Sequence, residues 1–349
     1  NKIKKVISKG ITFSLSHTIE YEVSKKLTEI IPCAEMVRFG KNGTDVNSAA
    51  VRLARYHTKR EHIAICGYHG WHDWYISTTT MDGGILKDVK KYTHIFQYNN
   101  LKSLEKIFKK YKIAAVVMEP FSYELPNKNF LKNIKKLCRK NKSLLIFDEI
   151  CTGFRVDLGG AQKILNVTPD LATFGKAIGN GYPISALVGK KKIMKKLENI
   201  FFSGTFGGET LSLQACFETI NFLKKKNSIK KNYFKGNLLI KGFNQLSKKY
   251  GFEKNIMLEG HPTWPFLKIK NVTTNMQQKI KGLFMQEFLL KKTLFIGISF
   301  LINHSHSKSD IKRILNNSEL VFEKLKKNYN NLNKVLITTP SKTLFKIRN

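Results

Sequence analysis

Leu144-Leu145-Ile146-Phe147-Asp148-Glu149 sets four apolar residues in a row ahead of two acids. A short apolar run without alternation is the pattern of a strand buried on both faces, as in a parallel sheet covered by helices. Two further runs have the same character, His62-Ile63-Ala64-Ile65 and Ala114-Ala115-Val116-Val117-Met118. Between them lie stretches with helical spacing, such as Leu101 to Tyr111 and Leu131 to Arg139. The alternation predicts an α/β fold whose mostly parallel central sheet is flanked by helices. Open sheets of this kind place their ligands beyond the carboxyl ends of the strands, which puts Asp148 where chemistry is done.

Upstream, residues 20–31 carry Val23, Leu27, Ile30 and Ile31 at amphipathic spacing, and residues 36–39 read as a short strand. After the turn Lys41-Asn42-Gly43-Thr44, a helix from Asp45 to His57 places Val46, Ala49, Ala50, Leu53 and Ala54 on one face. Unpaired N–H groups and the helix dipole favour an anion at such a start, but Gly-Thr before a helix is common and by itself assigns no ligand. Downstream, Lys176 sits in the small-residue stretch Thr173-Phe174-Gly175-Lys176-Ala177-Ile178-Gly179 after a probable strand. Desolvation there would turn its ammonium into a nucleophilic amine.

Composition narrows the function classes. A hydrophobic fraction of 42% over 349 residues suits a globular chain with a large core, and no run approaches the roughly 20 apolar residues of a membrane-spanning helix. Five scattered cysteines without a Cys-x-x-Cys pair fit neither a disulfide framework nor a zinc site. Asn1-Lys2-Ile3-Lys4-Lys5 is basic but leads into no apolar segment of a signal peptide. The expectation is a soluble, cytoplasmic protein that makes no membrane contact, and the opening on Asn1 reads as a processed product or a fragment. Lys+Arg 61 against Asp+Glu 25 gives +36, in short runs spread along the chain. That distribution reads as a solvated surface with no nucleic acid bound; the alternative of another class is a non-catalytic polyanion-binding protein.

Near residue 222 the chain turns rich in lysine and asparagine, with weaker strands expected around Trp264 to Leu267 and Phe295 to Ile302. The domain reading is 1–30 as the remnant of an N-terminal segment, 31–222 as the large domain, and 223–349 as a smaller α+β domain.

Asp148-Glu149-Ile150-Cys151-Thr152-Gly153-Phe154-Arg155, then Pro169-Asp170-Leu171 and Gly175-Lys176, closely resemble the class III, fold type I aminotransferases that use pyridoxal 5′-phosphate (PLP). The Thr-Gly-Phe-Arg and Gly159-Gly160-Ala161-Gln162 wording is most similar to the glutamate-1-semialdehyde 2,1-aminomutase branch; ornithine-type relatives carry glutamine where this chain has Cys151. The resemblance covers residues from about 12 to 320. It implies that Lys176 carries the cofactor as a Schiff base and that Asp148 pairs with the pyridine nitrogen, both as catalytic residues. It also implies a phosphate cup at Asn42-Gly43-Thr44, with Asn42 replacing the usual serine. Tyr68, in Tyr68-His69-Gly70-Trp71, would stack on one ring face, and Ile150 would pack on the other. His69 and Glu119, in Met118-Glu119-Pro120, would line the cofactor site. Thr205, in Ser203-Gly204-Thr205-Phe206, would reach the partner's phosphate in a homodimer. His69, His72 and Asp73 lack the spacing of a helical zinc site, so no metal is expected.

The resemblance leaves mutase and transferase both open. Asn180-Gly181-Tyr182-Pro183 and Phe206-Gly207-Gly208-Glu209 look more like relatives of surface-polysaccharide pathways, so an aminotransferase acting on a sugar or another small aldehyde or ketone is the alternative. The segment Thr78 to Asn99 differs in composition from the gating loop of the aminomutases. Phe300, Asn303, His304 and His306 fall where relatives line the substrate pocket, but their residue types assign them no role.

Overall fold

The computed structural model describes residues 2–339. They divide into two compact units: one runs up to Ser122 and resumes over Pro126–Lys226, and the other takes Tyr123–Leu125 and the chain from Asn227.

In the first unit, α1 (Lys2–Ile7) and α2 (Thr18–Ile30) lead to β1 (Met36–Gly40), and α3 (Gly43–Thr58) follows immediately. Then come β2 (His62–Cys66), α4 (Asp73–Ile76), β3 (Thr93–Ile95), α5 (Leu101–Lys110), β4 (Ile113–Met118), α6 (Phe130–Lys140) and β5 (Leu144–Asp148). The unit closes with α7 (Ala161–Ile164), β6 (Leu171–Phe174), β7 (Ser185–Gly189), α8 (Lys191–Met194) and α9 (Thr210–Lys225). The sheet order is β1-β7-β6-β5-β4-β2-β3. Strands β6, β5, β4, β2 and β3 are parallel, whereas β7 runs against both of its neighbours. Strand β1 therefore points the same way as β6.

Every residue of β4 and β5 is buried, because helices cover both faces. Leu27, Leu104, Ile134 and Leu213 close one face. On the other, Val46, Ala50 and Leu53 of α3 pack against Ile63, Ile146 and Leu187. Two helix starts differ from expectation for local reasons. Helix α2 begins earlier because His17 Nδ1 accepts a hydrogen bond from the Ile19 N–H at 3.1 Å. Helix α3 begins at Gly43, and Asp45 is a first-turn acid whose carboxylate accepts from the Asn42 N–H at 2.8 Å.

The second unit contains α10 (Ser228–Lys249), the antiparallel hairpin β8 (Ile256–His261) and β9 (Trp264–Ile269), then α11 (Thr274–Leu290) and α12 (Lys308–Asn328). Its core gathers Phe243, Phe284 and Phe322. Strand β8 was not foreseen. The strand expected over Phe295 to Ile302 does not form: that stretch meets β9 only through separate bonds, such as Phe300 N–H to the Pro265 carbonyl at 2.9 Å. Gly297, at φ +74°, breaks the extended conformation that a ladder requires. No helix among the described residues is long and apolar enough to cross a membrane.

Candidate active site

The carboxyl ends of β1, β2, β4, β5 and β6 deliver the chemically interesting side chains to one place. A cavity of about 270 Å³ is lined by Asn42, Gly43, Thr44, Tyr68, His69, Glu119, Asp148, Ile150 and Lys176, together with Asn47 and Cys151. Thr205 is elsewhere: it lines a separate cavity of the same unit with Arg38, Lys41 and Glu209.

Asp148 is 3% exposed, so it must be supplied with donors. Its Oδ2 accepts from Asn47 Nδ2 at 2.7 Å and lies 2.8 Å from His69 Nδ1. Its Oδ1 accepts from the Ile150 N–H at 3.0 Å. Three partners thus satisfy the buried carboxyl. Asn47 is itself saturated, since its Nδ2 also donates to the His69 carbonyl at 3.2 Å and its Oδ1 accepts from the Thr173 hydroxyl at 2.6 Å.

Lys176 lies just past β6 with φ +45°, a left-handed conformation that is costly for a lysine. Its Nζ is 2.7 Å from the Cys151 Sγ. The expected desolvated amine is not what this state holds. Burial, the largest influence, acts to lower the lysine's proton affinity, yet the Cys151 thiol and the carboxyls of Asp148 and Glu119 together raise it above the usual lysine range. Burial pushes the Cys151 thiol up, against the opposing pull of Lys176.

The loop from Gly67 to His72 leads from β2 into α4 and lies against the start of α3. Gly70 has φ +110°, and a Cβ there would fall 2.4 Å from Thr44 Oγ1. Only glycine lets this loop lie against the helix terminus, where the Trp71 N–H donates to Thr44 Oγ1 at 3.3 Å. The Tyr68 ring is half-exposed at the cavity mouth and meets Tyr75 edge-on at 5.5 Å. Below β5, Glu149 is fully buried and accepts from the Ala161 and Gln162 N–H groups at 2.7 and 2.9 Å and from the Thr152 hydroxyl. Gly160, at φ +78°, leaves space for that carboxyl, since a Cβ there would lie 2.6 Å from it. The Gly-Gly-Ala-Gln wording is thus a cradle for Glu149.

A family model described as aminotransferase class-III matches residues 2–263. The chain belongs to the class III aminotransferases. It is 36% identical over 288 residues to a 3-aminobutyryl-CoA aminotransferase of Cloacimonas acidaminovorans, covering 80% of this chain and 68% of that one. It is 34% identical over 345 residues to a glutamate-1-semialdehyde 2,1-aminomutase of Thermosipho melanesiensis, covering 90% and 81%. Among solved structures, the FumI protein of Sphingopyxis sp. MTA144, solved in its PLP internal aldimine form, matches with a TM-score of 0.86 and 25% identity, over 97% of this chain and 84% of that one. The fold is that of the fold type I PLP-dependent transferases.

Two side chains of this class III site escaped sequence reasoning. Asn47 sits inside an amphipathic helix, where a polar residue reads as solvent-facing, and its partners Asp148 and Thr173 are more than a hundred positions away. Cys151 was given no role at the site, although it stands three residues beyond Asp148, where ornithine-type relatives carry glutamine. Among the described residues no group of three or more ligating side chains could hold a metal; His72 Nδ1 lies 2.7 Å from the Ser48 hydroxyl instead. In the second unit, Lys235 Nζ donates to the carbonyls of Asn303 and His306 at 2.7 and 2.8 Å, so that loop has a structural tie.

Proposed function

We propose that this chain binds PLP in the cavity between α3 and β6 and moves an amino group on a small substrate, with glutamate-1-semialdehyde as the first substrate to try. The observation that carries the reading is the placement of Asp148, Lys176 and the first turn of α3 around one cavity.

The residues present suit that cofactor. Its phosphate would meet the N–H groups of Gly43 and Thr44 at the start of a sixteen-residue helix, where the dipole favours an anion. A buried, donor-saturated carboxylate at Asp148 would face a protonated pyridine nitrogen. Tyr68 and Ile150 would take the two faces of the ring. Among the described residues, Lys176 and Lys41 are the lysines on the cavity wall, and Lys176 would hold the cofactor covalently.

When bound, PLP supplies an electron sink for the charge left as the substrate's α-proton departs. The chain's own residues do the remainder. Asp148 is held in position by Asn47, His69 and the Ile150 N–H. Lys176 Nζ, once released, takes the α-proton and returns it at a neighbouring atom, acting as base and then as acid. The half-buried ring of Tyr68 limits water at the mouth.

A homodimer with Thr205 serving the partner's phosphate, and a cytoplasmic location, complete the proposal. So do a large domain over 31–222 and a small domain over 223–349. The second reading, transfer to a sugar or another small aldehyde or ketone, is favoured by the likeness to an aminotransferase acting on an acyl-CoA substrate, which places transferase chemistry beside the mutases.

The test is an absorption spectrum of the purified protein with added PLP, before and after borohydride, with peptide mass spectrometry. Wild type should acquire a borohydride-stable PLP label on Lys176, and Lys176→Ala should acquire none at that position. A wild type that takes no label there ends the reading.

A further inference from the structure

Glu119 and Asp148 terminate adjacent parallel strands. Met118 of β4 stands opposite Phe147 of β5, so the next residues, Glu119 and Asp148, emerge side by side at the cavity wall. Their carboxyls are supplied unequally. Asp148 has three donors, whereas Glu119 accepts one long bond, from the Tyr68 N–H at 3.3 Å, and no other among the described residues. A charged carboxylate with one donor, beside a second carboxylate, is poorly stabilised.

Two further features close around Glu119. Gly67, at φ +108°, brings its backbone so near that a Cβ there would sit 2.6 Å from Glu119 Oε2. Tyr75 is fully buried, and its hydroxyl has no hydrogen-bond partner among the described residues. Burial and then the charge of Glu119 push that phenol up. An unpaired buried hydroxyl costs about 1–3 kcal/mol, and a carboxylate forming nearby would give it a partner.

We propose that Glu119 is a catalytic proton carrier of this site, taking the proton that an arriving amino substrate must lose and passing it to the freed amine of Lys176. The proposal rests on the amino-transfer reading above. Glu119 carries one proton and nothing is oxidised. The substrate ammonium gives its proton to the Glu119 carboxylate and becomes a nucleophilic amine; the neutral Glu119 carboxyl keeps that proton while the released Lys176 amine takes and returns the α-proton, and only then gives it to Lys176 Nζ, which ends as an ammonium. Burial, and next the charge of Asp148, push the Glu119 carboxyl up to about 7, so both of its forms are populated near neutrality, where a proton carrier is most effective. Of the two neighbouring carboxyls, Asp148 is held by three donors and Glu119 by one, which leaves Glu119 as the one suited to carry a proton.

The experiment uses the PLP-loaded protein and methylamine, a primary amine that needs no substrate pocket. Methylamine displaces Lys176, and borohydride quenching with mass spectrometry reads the label remaining on Lys176 against time, from about pH 5 to about pH 9. Glu119→Gln, first loaded with PLP on Lys176 to completion, should lose label about a hundredfold more slowly and lack the wild-type rise in rate near pH 7. Glu119→Asp should restore part of the rate with a displaced rise. A Glu119→Gln protein with wild-type rate and pH profile overturns the proposal and leaves the amino-transfer reading standing. An unmoved rise in Glu119→Asp overturns it as well, should Glu119→Gln not fold. A wild type that never loads PLP on Lys176 overturns the underlying reading instead.

Discussion

Asn47 shows how much of this site depends on a residue that touches no reacting atom. It is 2% exposed and ties Asp148 to the carbonyl of His69 and the hydroxyl of Thr173. Asn47→Ala leaves the Thr173 hydroxyl unpaired and strips one donor from a buried carboxylate. It should cost about 2–3 kcal/mol of stability and loosen PLP, measured by urea unfolding with and without the cofactor; an unchanged midpoint would show that the network carries no load. Cys151 makes a second case. Because its thiol is one of the groups that hold the Lys176 ammonium high, Cys151→Ala should lower the pH at which Lys176 captures added PLP, read by absorbance across a pH series. A midpoint that stays or rises would contradict the assigned contact. Asp148 and Lys176 were legible in the sequence because a buried strand or a glycine-rich turn leaves little choice about where they point. Asn47 and Cys151 were not, because their importance lies in partners that only the assembled sheet brings near.

At the scale of elements, the apolar runs of β4 and β5 announced themselves, since a strand covered on both faces must be continuously hydrophobic. The short hairpin of the second unit was harder. Strand β8 buries Ile256 and Leu258 but leaves its other residues partly open, so its alternation covers too few positions to stand out. The 295–302 stretch had strand-like residues but fails at Gly297. The start of α3 was found to within two residues, and the loop packed against it is one that glycine alone can form. Gly70→Ala would strain a positive φ and drive its Cβ into Thr44. The expected loss is about 1–3 kcal/mol of stability, together with weaker PLP binding. The paired measurement matters: a lower melting temperature with unchanged PLP affinity would detach the loop from the cofactor.

Across the whole molecule, two buried groups give stability opposite slopes against pH. The fold lowers His94 to about 4, through burial, its neighbour His62 and Lys110; the two imidazoles lie 3.0 Å apart and Tyr111 stacks on His94 at 3.9 Å. The unfolded chain protonates that histidine first, so stability is lost as pH falls from about 6.5 to about 4. Glu119 acts in the other sense. Its folded-state affinity is raised from 4.5 to about 7, so the stability it contributes is complete in acid and is lost as pH rises through that window. The two slopes oppose each other where the windows overlap. Glu119→Gln should therefore make stability rise more steeply with pH over that overlap, and His94→Asn should make it rise less steeply, both read as urea midpoints at successive pH values. Parallel curves for all three proteins would mean that neither group titrates as its surroundings require.

The charge of +36 belongs to this scale too, because exposed lysines occur on α5, α6, α10 and α12 and not on one face of one element. On α5, Lys102, Lys106, Lys109 and Lys110 are exposed while Leu104 is buried, and α6 repeats the pattern with Lys132, Lys136, Arg139 and Lys140 around Ile134. Lysine has taken the solvent side of amphipathic helices, whose apolar sides still specify the core. Self-repulsion of so many like charges opposes folding, and salt relieves it by shortening the screening length from about 30 Å at about 0.01 M to about 10 Å at about 0.1 M. The melting temperature should therefore climb over that range. Heparin should bind in low salt, release on adding salt, and leave PLP capture at Lys176 unchanged. A polyanion complex that survives high salt, or that blocks capture at Lys176, would instead give the cationic surface a function of its own, because screening removes a diffuse field far more readily than a shaped site.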